Sequence, residues 1–161
     1  MDHLTRRLAP ITDETWNALD DEARTRLQPV LGARRLVDFD GPRGWEHSST
    51  NTGRVRPVGD DDAGLRARQR VVLALTEVRA DFVLARSELD DTARGAVDTD
   101  LSALDEAAHR LAVRENTAIL AGWPAVGFAG IAPSSPHAPI DGAGDAAGLT
   151  RRTAEAVRRL G

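Results

Sequence analysis

No cysteine occurs among the 161 residues. That excludes a disulfide framework, a thiolate zinc site and a thiol nucleophile, and it suits a cytoplasmic protein. Tyrosine is also missing, and aromatic residues make up only 4% of the chain. Large interfaces would therefore rest on aliphatic side chains and arginine, not on Tyr and Trp anchors. Lysine is absent as well, so every basic residue is Arg; we read this as a bias of the source genome. No apolar run is long enough to span a bilayer, and the start, Met-Asp-His-Leu-Thr-Arg-Arg, lacks the apolar core of a signal peptide. An excess of positive charge is missing too. The formal net charge is −4, the wrong sign for the basic footprint of a nucleic-acid binder.

What is present is the composition of a folded chain, 41% hydrophobic and 29% charged, with one domain as the expectation at this length. Residues 1 to 11 read as an arm. Thr12 is a good N-cap, and Asp13 and Glu14 follow in the first turn of a helix. Its apolar face is Trp16, Leu19, Ala23, Leu27, Val30 and Leu31. Pro29 removes a backbone donor, so the helix is expected to bend or end near Gln28. A Gly41-Pro42 turn follows. Asn51 to Val58 reads as a short strand, Asp60-Asp61-Asp62 between Gly59 and Gly64 as a loop tip, and Arg70 to Leu84 as a second strand. In the latter, Val78, Ala80, Phe82 and Leu84 alternate with Glu77, Arg79, Asp81 and Val83. The pair forms a hairpin whose edges want partners.

Ser87 to Ala93 is expected to be a short helix capped by Ser87 and stopped by Gly95. Asp100 to Leu120 is the clearest helix, capped by Asp100 or Ser102 and ended by Gly122 and Pro124. Residues 121 to 148 read as a loop region with a small apolar anchor at Phe128-Ala129-Gly130-Ile131. Thr150 to Leu160 reads as a last helix, with Ala154, Val157 and Leu160 on one face and Arg151, Arg152, Arg158 and Arg159 on the other.

Catalytic patterns are weak. His3, His47, His109 and His137 are scattered and lack metal-ligand spacing. No G-x-S-x-G elbow supports a Ser-His-Asp set. The glycines from Gly142 to Gly148 have the wrong spacing for a dinucleotide loop, and Asp145 would repel a pyrophosphate. The Asp60 to Asp62 run reads as solvated carboxylates. No metal and no cofactor is expected.

Five segments, in order, carry a resemblance. They are Leu8 to Thr12 with Trp16; Arg34-Arg35-Leu36-Val37-Asp38 with Gly41-Pro42 and Gly44-Trp45; Asn51 to Val55; Thr76 to Leu84 running into Ser87-Glu88-Leu89-Asp90 and Arg94-Gly95; and Ala108 to Gly130. Together they resemble the N-terminal portion of an encapsulin shell protein, of family 1, the linocin or bacteriocin-like nanocompartment proteins. Pro29 departs from that pattern. The resemblance implies an α+β, phage-major-capsid-like fold. Residues 1–46 would be the N-terminal arm and helix, 47–84 the extended-loop hairpin, and 85–161 part of a peripheral domain with a long spine helix. Family subunits continue beyond the position of Gly161, so the axial domain is expected to be absent.

By the same resemblance the chain is a structural subunit and not an enzyme. It self-assembles into an icosahedral cage in the cytoplasm and encloses cargo enzymes that carry a C-terminal targeting peptide. Its partners would be further copies of itself and the cargo, with no nucleic acid and no membrane. The cargo-peptide site would include Leu27, Val30, Leu31, Arg34 and Asp38, whose apolar groups suit aliphatic anchors and whose charges suit polar groups. The alternative for Leu27 and Leu31 is a place in the core, and for Arg34 and Asp38 a local ion pair. Where some relatives carry a flavin-binding Trp, the matching residue is Ser87, so no flavin site is implied. Two other readings stay open: a truncated, non-assembling module that only binds cargo peptide, and, more remotely, a hydrolase.

Overall fold

The computed structural model describes residues 5–59, 64–141 and 145–160. The chain is mixed helix and strand and divides into two units, one reaching to Asn116 and the other starting at Thr117. His3, the Asp60 to Asp62 run and Gly142 to Gly144 lie outside the described residues.

Helix α1 (Asp13–Val30) starts where its sequence dictates. The Thr12 hydroxyl accepts from the Thr15 N–H at 3.2 Å, with Asp13 and Glu14 in the first turn. Pro29 lies inside the helix but in its last turn, so the helix ends at Val30, two residues later than expected. So near the end, proline forfeits a single helical hydrogen bond. The segment before α1 makes a 3-10 turn at Arg6–Leu8. It is fastened by Arg6, which donates twice to the Asp20 carboxylate, both bonds 2.8 Å, and lies 4.7 Å from the Trp16 ring centroid.

Strands β1 (Ser49–Pro57) and β2 (Arg68–Ala74) form a two-stranded antiparallel ladder. Its register shifts between Asn51 and Val55, where Gly53 takes a positive φ of 72° and its N–H bonds the Asn51 side chain. The second strand was expected to run to Leu84. It stops at Ala74, and residues 76–85 join no ladder among the described residues. Alternation marks a segment suited to strand, but a strand exists only where another backbone pairs with it.

Helix α2 (Arg86–Ala93) has Ala85 in the capping position and no side-chain cap, so Ser87 does not cap it. Gly95, at φ 92°, follows its end. Thr15 of α1, almost fully buried, donates its hydroxyl to the Leu89 carbonyl of α2 at 3.4 Å. The Glu88 carboxylate then accepts from the Asp100 N–H at 2.8 Å, leading the chain into α3 (Ser102–Ala121). Asp100 accepts from the Ser102 N–H at 3.0 Å, and hydrogen bonding from Ser102, by its hydroxyl and then its N–H, holds the Asp100 carboxyl below the usual carboxylate range. The buried apolar residues are Leu19, Ala33 and, along α3, Leu104, Ala107, Ala108, Ala112 and Ala118. Helical spacing places the α3 set on one face, but alanine buries little area and so contributes little.

In the second unit, Trp123 and Phe128 exchange backbone hydrogen bonds of 2.8 and 3.1 Å. The turn brings Gly130 so close to Gly122 that a Cβ on Gly130 would sit 2.2 Å from the Gly122 nitrogen. The apolar anchor expected there is open: Phe128 and Ile131 are both exposed. A single-turn helix α4 (Ile131–Ser134) and α5 (Ala146–Leu160) complete the unit. Helix α5 begins four residues before the expected Thr150, because Asp145 accepts from the Gly148 N–H at 2.6 Å and caps it. Part of the expected glycine loop is therefore helix.

Folding leaves about half of the extended chain's surface in water. The accessible area is 12,847 Å², against about 7,800 Å² from the scaling for compact monomers of this mass.

The Arg6–Asp20 pair carries a pH dependence. The hydrogen bonds from Arg6 hold the Asp20 carboxyl below its ordinary value. A depressed carboxylate stabilises the fold above its unfolded pKa of about 3.9 and loses that contribution as pH falls through the folded value. Arg6→Ala is therefore expected to lower stability at pH 7 by well under about 1 kcal/mol, since both side chains are partly exposed. The difference between the two proteins in urea unfolding should shrink as pH falls below the unfolded value and vanish once Asp20 is protonated in both folded states.

Candidate docking groove

The end of α1 is held by one side chain of α3. Asn116 donates from Nδ2 to the Val30 carbonyl at 2.6 Å, and its Oδ1 accepts from the Ala33 N–H at 3.0 Å. A helix C-terminus leaves carbonyls without donors, and one amide here meets a carbonyl of the helix and an N–H of the 3-10 turn Gly32–Arg35 beyond it. That turn aims Arg34 at the neighbouring α3 residue. Arg34 makes a two-pronged ion pair with Glu115, Nε to Oε1 at 2.5 Å and Nη2 to Oε2 at 2.8 Å. The carboxylate raises the Arg34 pKa, so the guanidinium stays charged. It also lies 4.5 Å from the Phe39 ring centroid, a cation–π contact.

A groove of about 650 Å³ runs between α1 and α3, lined by Thr25, Arg26, Pro29 and Val30 on one side and by Asp105, Glu106, His109 and Arg110 on the other. Arg26 crosses it, donating to Glu22 at 2.7 Å and pairing with Asp105 at 3.0 Å. The second Asp105 oxygen is shut from solvent without a hydrogen-bond partner. The groove thus has an apolar wall at Pro29 and Val30, and both signs of charge opposite.

The expected site residues are only partly brought together. Val30 lines the groove. Leu27 and Leu31 are half-buried and do not line it. The expected alternative of a local Arg34–Asp38 pair does not hold, because the Arg34 carboxylate partner is Glu115. Asp38 is exposed and borders another concavity, about 660 Å³, with Phe39, Pro42, His47 and Leu75. Glu115 and Asn116 were missed. The available signal was two adjacent polar residues inside an otherwise alanine- and leucine-rich helix. Among the described residues, no three His, Asp or Glu side chains are placed to hold a metal ion, and no helix is long and apolar enough to cross a membrane.

A family model described as "encapsulating protein for peroxidase" matches residues 1–161. The chain belongs to the encapsulin family. It is 37% identical over 164 residues to a type 1 encapsulin shell protein of Brevibacterium linens, covering all of this chain and 62% of that relative. It is 39% identical over 147 residues to the type 1 encapsulin shell protein of Rhodospirillum rubrum, covering 88% of this chain and 52% of the relative. With the Mycobacterium tuberculosis shell protein the figures are 35%, 84% and 51%. This encapsulin chain spans about half to three-fifths of the length of the curated relatives it matches. The resemblance carried by the five segments is borne out, and the match corresponds to the N-terminal portion of the relatives.

Replacing Asn116 by Leu strands the Val30 carbonyl and the Ala33 N–H in a half-buried setting. The expected cost is about 1–3 kcal/mol, read as a lower urea midpoint with an unchanged slope. Asn116→Asp keeps the acceptor for Ala33 but loses the donor to Val30, so its deficit should be smaller than that of the leucine variant at low pH and grow on ionisation.

Proposed function

We propose that the chain is a structural shell subunit of an encapsulin nanocompartment, without catalytic activity of its own, that acts by self-association and by holding cargo. On this reading the fold is capsid-like. Residues 1–46 form the arm and helix, 47–84 the extended loop and 85–161 part of the peripheral domain. The shell would be cytoplasmic and closed by symmetry, since a repeated contact that closes makes a finite assembly.

The observation that carries the reading is the bare ladder. Val55, Val72, Leu73 and Leu75 are exposed on or beside β1 and β2, and Val78, Phe82 and Val83 are exposed on the unpaired stretch that follows. An isolated two-stranded hairpin is marginal in water, and exposed strand edges and apolar side chains are the usual marks of an interface. Neighbouring subunits would supply what the hairpin lacks.

Cargo recognition is assigned to the groove between α1 and α3, with Val30 on its apolar wall. A C-terminal targeting peptide would lay an aliphatic side chain against Pro29 and Val30 and offer donors to the acidic side at Asp105 and Glu106. Leu27 and Leu31 would back that wall, Arg34 would act as a strut through Glu115, and Asp38 would stand outside the contact. The groove is built wholly from this chain, which also favours a second reading, a small peptide-binding module that does not assemble.

Thr25 is exposed and lines the groove, so Thr25→Arg should fill it without disturbing the fold. Expressed with a fluorescent reporter ending in the C-terminal tail of a cargo peroxidase, the wild-type chain should co-purify the reporter in a large particle, and Thr25→Arg should lose the reporter while keeping the particle. Capture in a small species would favour the module. Equal capture by both chains would remove the groove from the account.

A further inference from the structure

Arg26 lies across the groove between α1 and α3 as a strap that can let go. Its Nε stands 2.7 Å from Glu22 Oε1, one turn back on its own helix, and 3.0 Å from Asp105 Oδ2 on α3. Nε carries a single hydrogen, so the two carboxylates share it. Release from Asp105 leaves the guanidinium paired with Glu22, four residues away on the same helix face. The Arg26 side chain is 52% exposed, so it can swing without disturbing packed atoms. Nor would its release part the helices, because Asn116 and the Arg34–Glu115 pair join them further along. Asp105 is the opposite case. It is mostly covered, and its Oδ1 is shut from solvent with no hydrogen-bond partner. A carboxylate accepts about four hydrogen bonds, and an unmet buried acceptor is costly.

We propose that Arg26 closes the groove until a cationic side chain of the cargo tail takes its place on Asp105, so that Asp105 selects tails with an arginine or lysine beside their aliphatic anchor. The proposal rests on the reading of this groove as the cargo site and names the chemistry of its ligand. With Arg26 drawn back to Glu22, the acidic pair Asp105 and Glu106 faces the groove, with Arg110 and His109 beside it. Arg110 is engaged elsewhere, since its Nη2 donates to the Asp81 carbonyl at 3.1 Å. The vacated place therefore suits positive charge. Its distance from the apolar wall also suits a peptide. Val30 lies four residues beyond Arg26, about 6 Å along the axis of α1. In an extended peptide, residues i and i+2 project to one side about 6.6 Å apart. A tail with Leu or Ile at one position and Arg or Lys two positions away would meet Val30 and Asp105 together.

The probe is a synthetic, fluorescein-labelled copy of the C-terminal tail of a cargo peroxidase, with arginine and then its neutral isostere citrulline placed at each position in turn. Fluorescence anisotropy should reveal a position, two residues from an aliphatic one, at which the arginine tail binds the wild-type chain at least ~5-fold more tightly than the citrulline tail, because a charged donor makes the stronger hydrogen bond to a carboxylate. Asp105→Asn should abolish that gap. Arg26→Gln, which removes the strap, should tighten binding of the arginine tail about 2–5-fold, and Glu22→Gln, which removes the resting place of the strap, should weaken it by a similar factor. The opposite signs separate a strap from a mere brace, whose loss from either end would move both variants the same way. If Arg26→Gln fails to fold, Glu22→Gln and Asp105→Asn decide. Equal affinity of arginine and citrulline tails at every position, a gap that survives Asp105→Asn, or unchanged or weaker binding by folded Arg26→Gln would overturn the proposal while leaving the groove as the cargo site. Tails that bind neither the wild-type chain nor any variant would remove the cargo reading itself, and the proposal with it.

Discussion

One side-chain amide sets the course of the first unit. Asn116 meets the Val30 carbonyl and the Ala33 N–H together, because a side-chain amide carries a donor and an acceptor side by side in one flat group. Because α1 stops against α3 at that point, Arg34 arrives at Glu115, and Phe39 can lie against the paired guanidinium. The groove between the two helices keeps its walls for the same reason. Upstream, Arg26 repeats the tie through Asp105, and Thr15 binds α1 to α2. These polar links matter because the apolar core between them consists mostly of alanine.

Such a core sits beside a surface much larger than a lone chain of this mass should keep. Hydrophobic burial is the main term that offsets chain entropy, yet the larger aliphatic side chains of the hairpin, of residues 75–83 and of α5 lie outside. On the proposed reading as a shell subunit, the missing burial would come from association, and these bare faces and the thin core would have one cause. Folding and assembly would then be linked, and stability would depend on subunit concentration.

What could be read in the sequence follows from how local each signal is. The Thr12 cap, the length of α3 and the stops at Gly95 and Gly122 depend on neighbours a few residues away, and they stand where expected. Ser87 failed as a cap because the local rule allowed several start positions and the chain enters α2 at Ala85. Residues 76–84 have the alternation of a strand but no ladder among the described residues, since pairing depends on a partner that the pattern cannot reveal. The candidate site was half legible. Val30, named from the family resemblance, lies on the groove wall, whereas Glu115 and Asn116 lie more than 80 positions from their partners, and Asp38 borders a different concavity.

The central claim is that the area left bare by folding is assembly surface. Native mass, measured for the purified chain by mass photometry and light scattering over a range of concentrations, tests it most directly. The account predicts association through the hairpin into species of many subunits, far above the 17.3 kDa of one chain. A well-folded 17.3 kDa monomer at every concentration would contradict it.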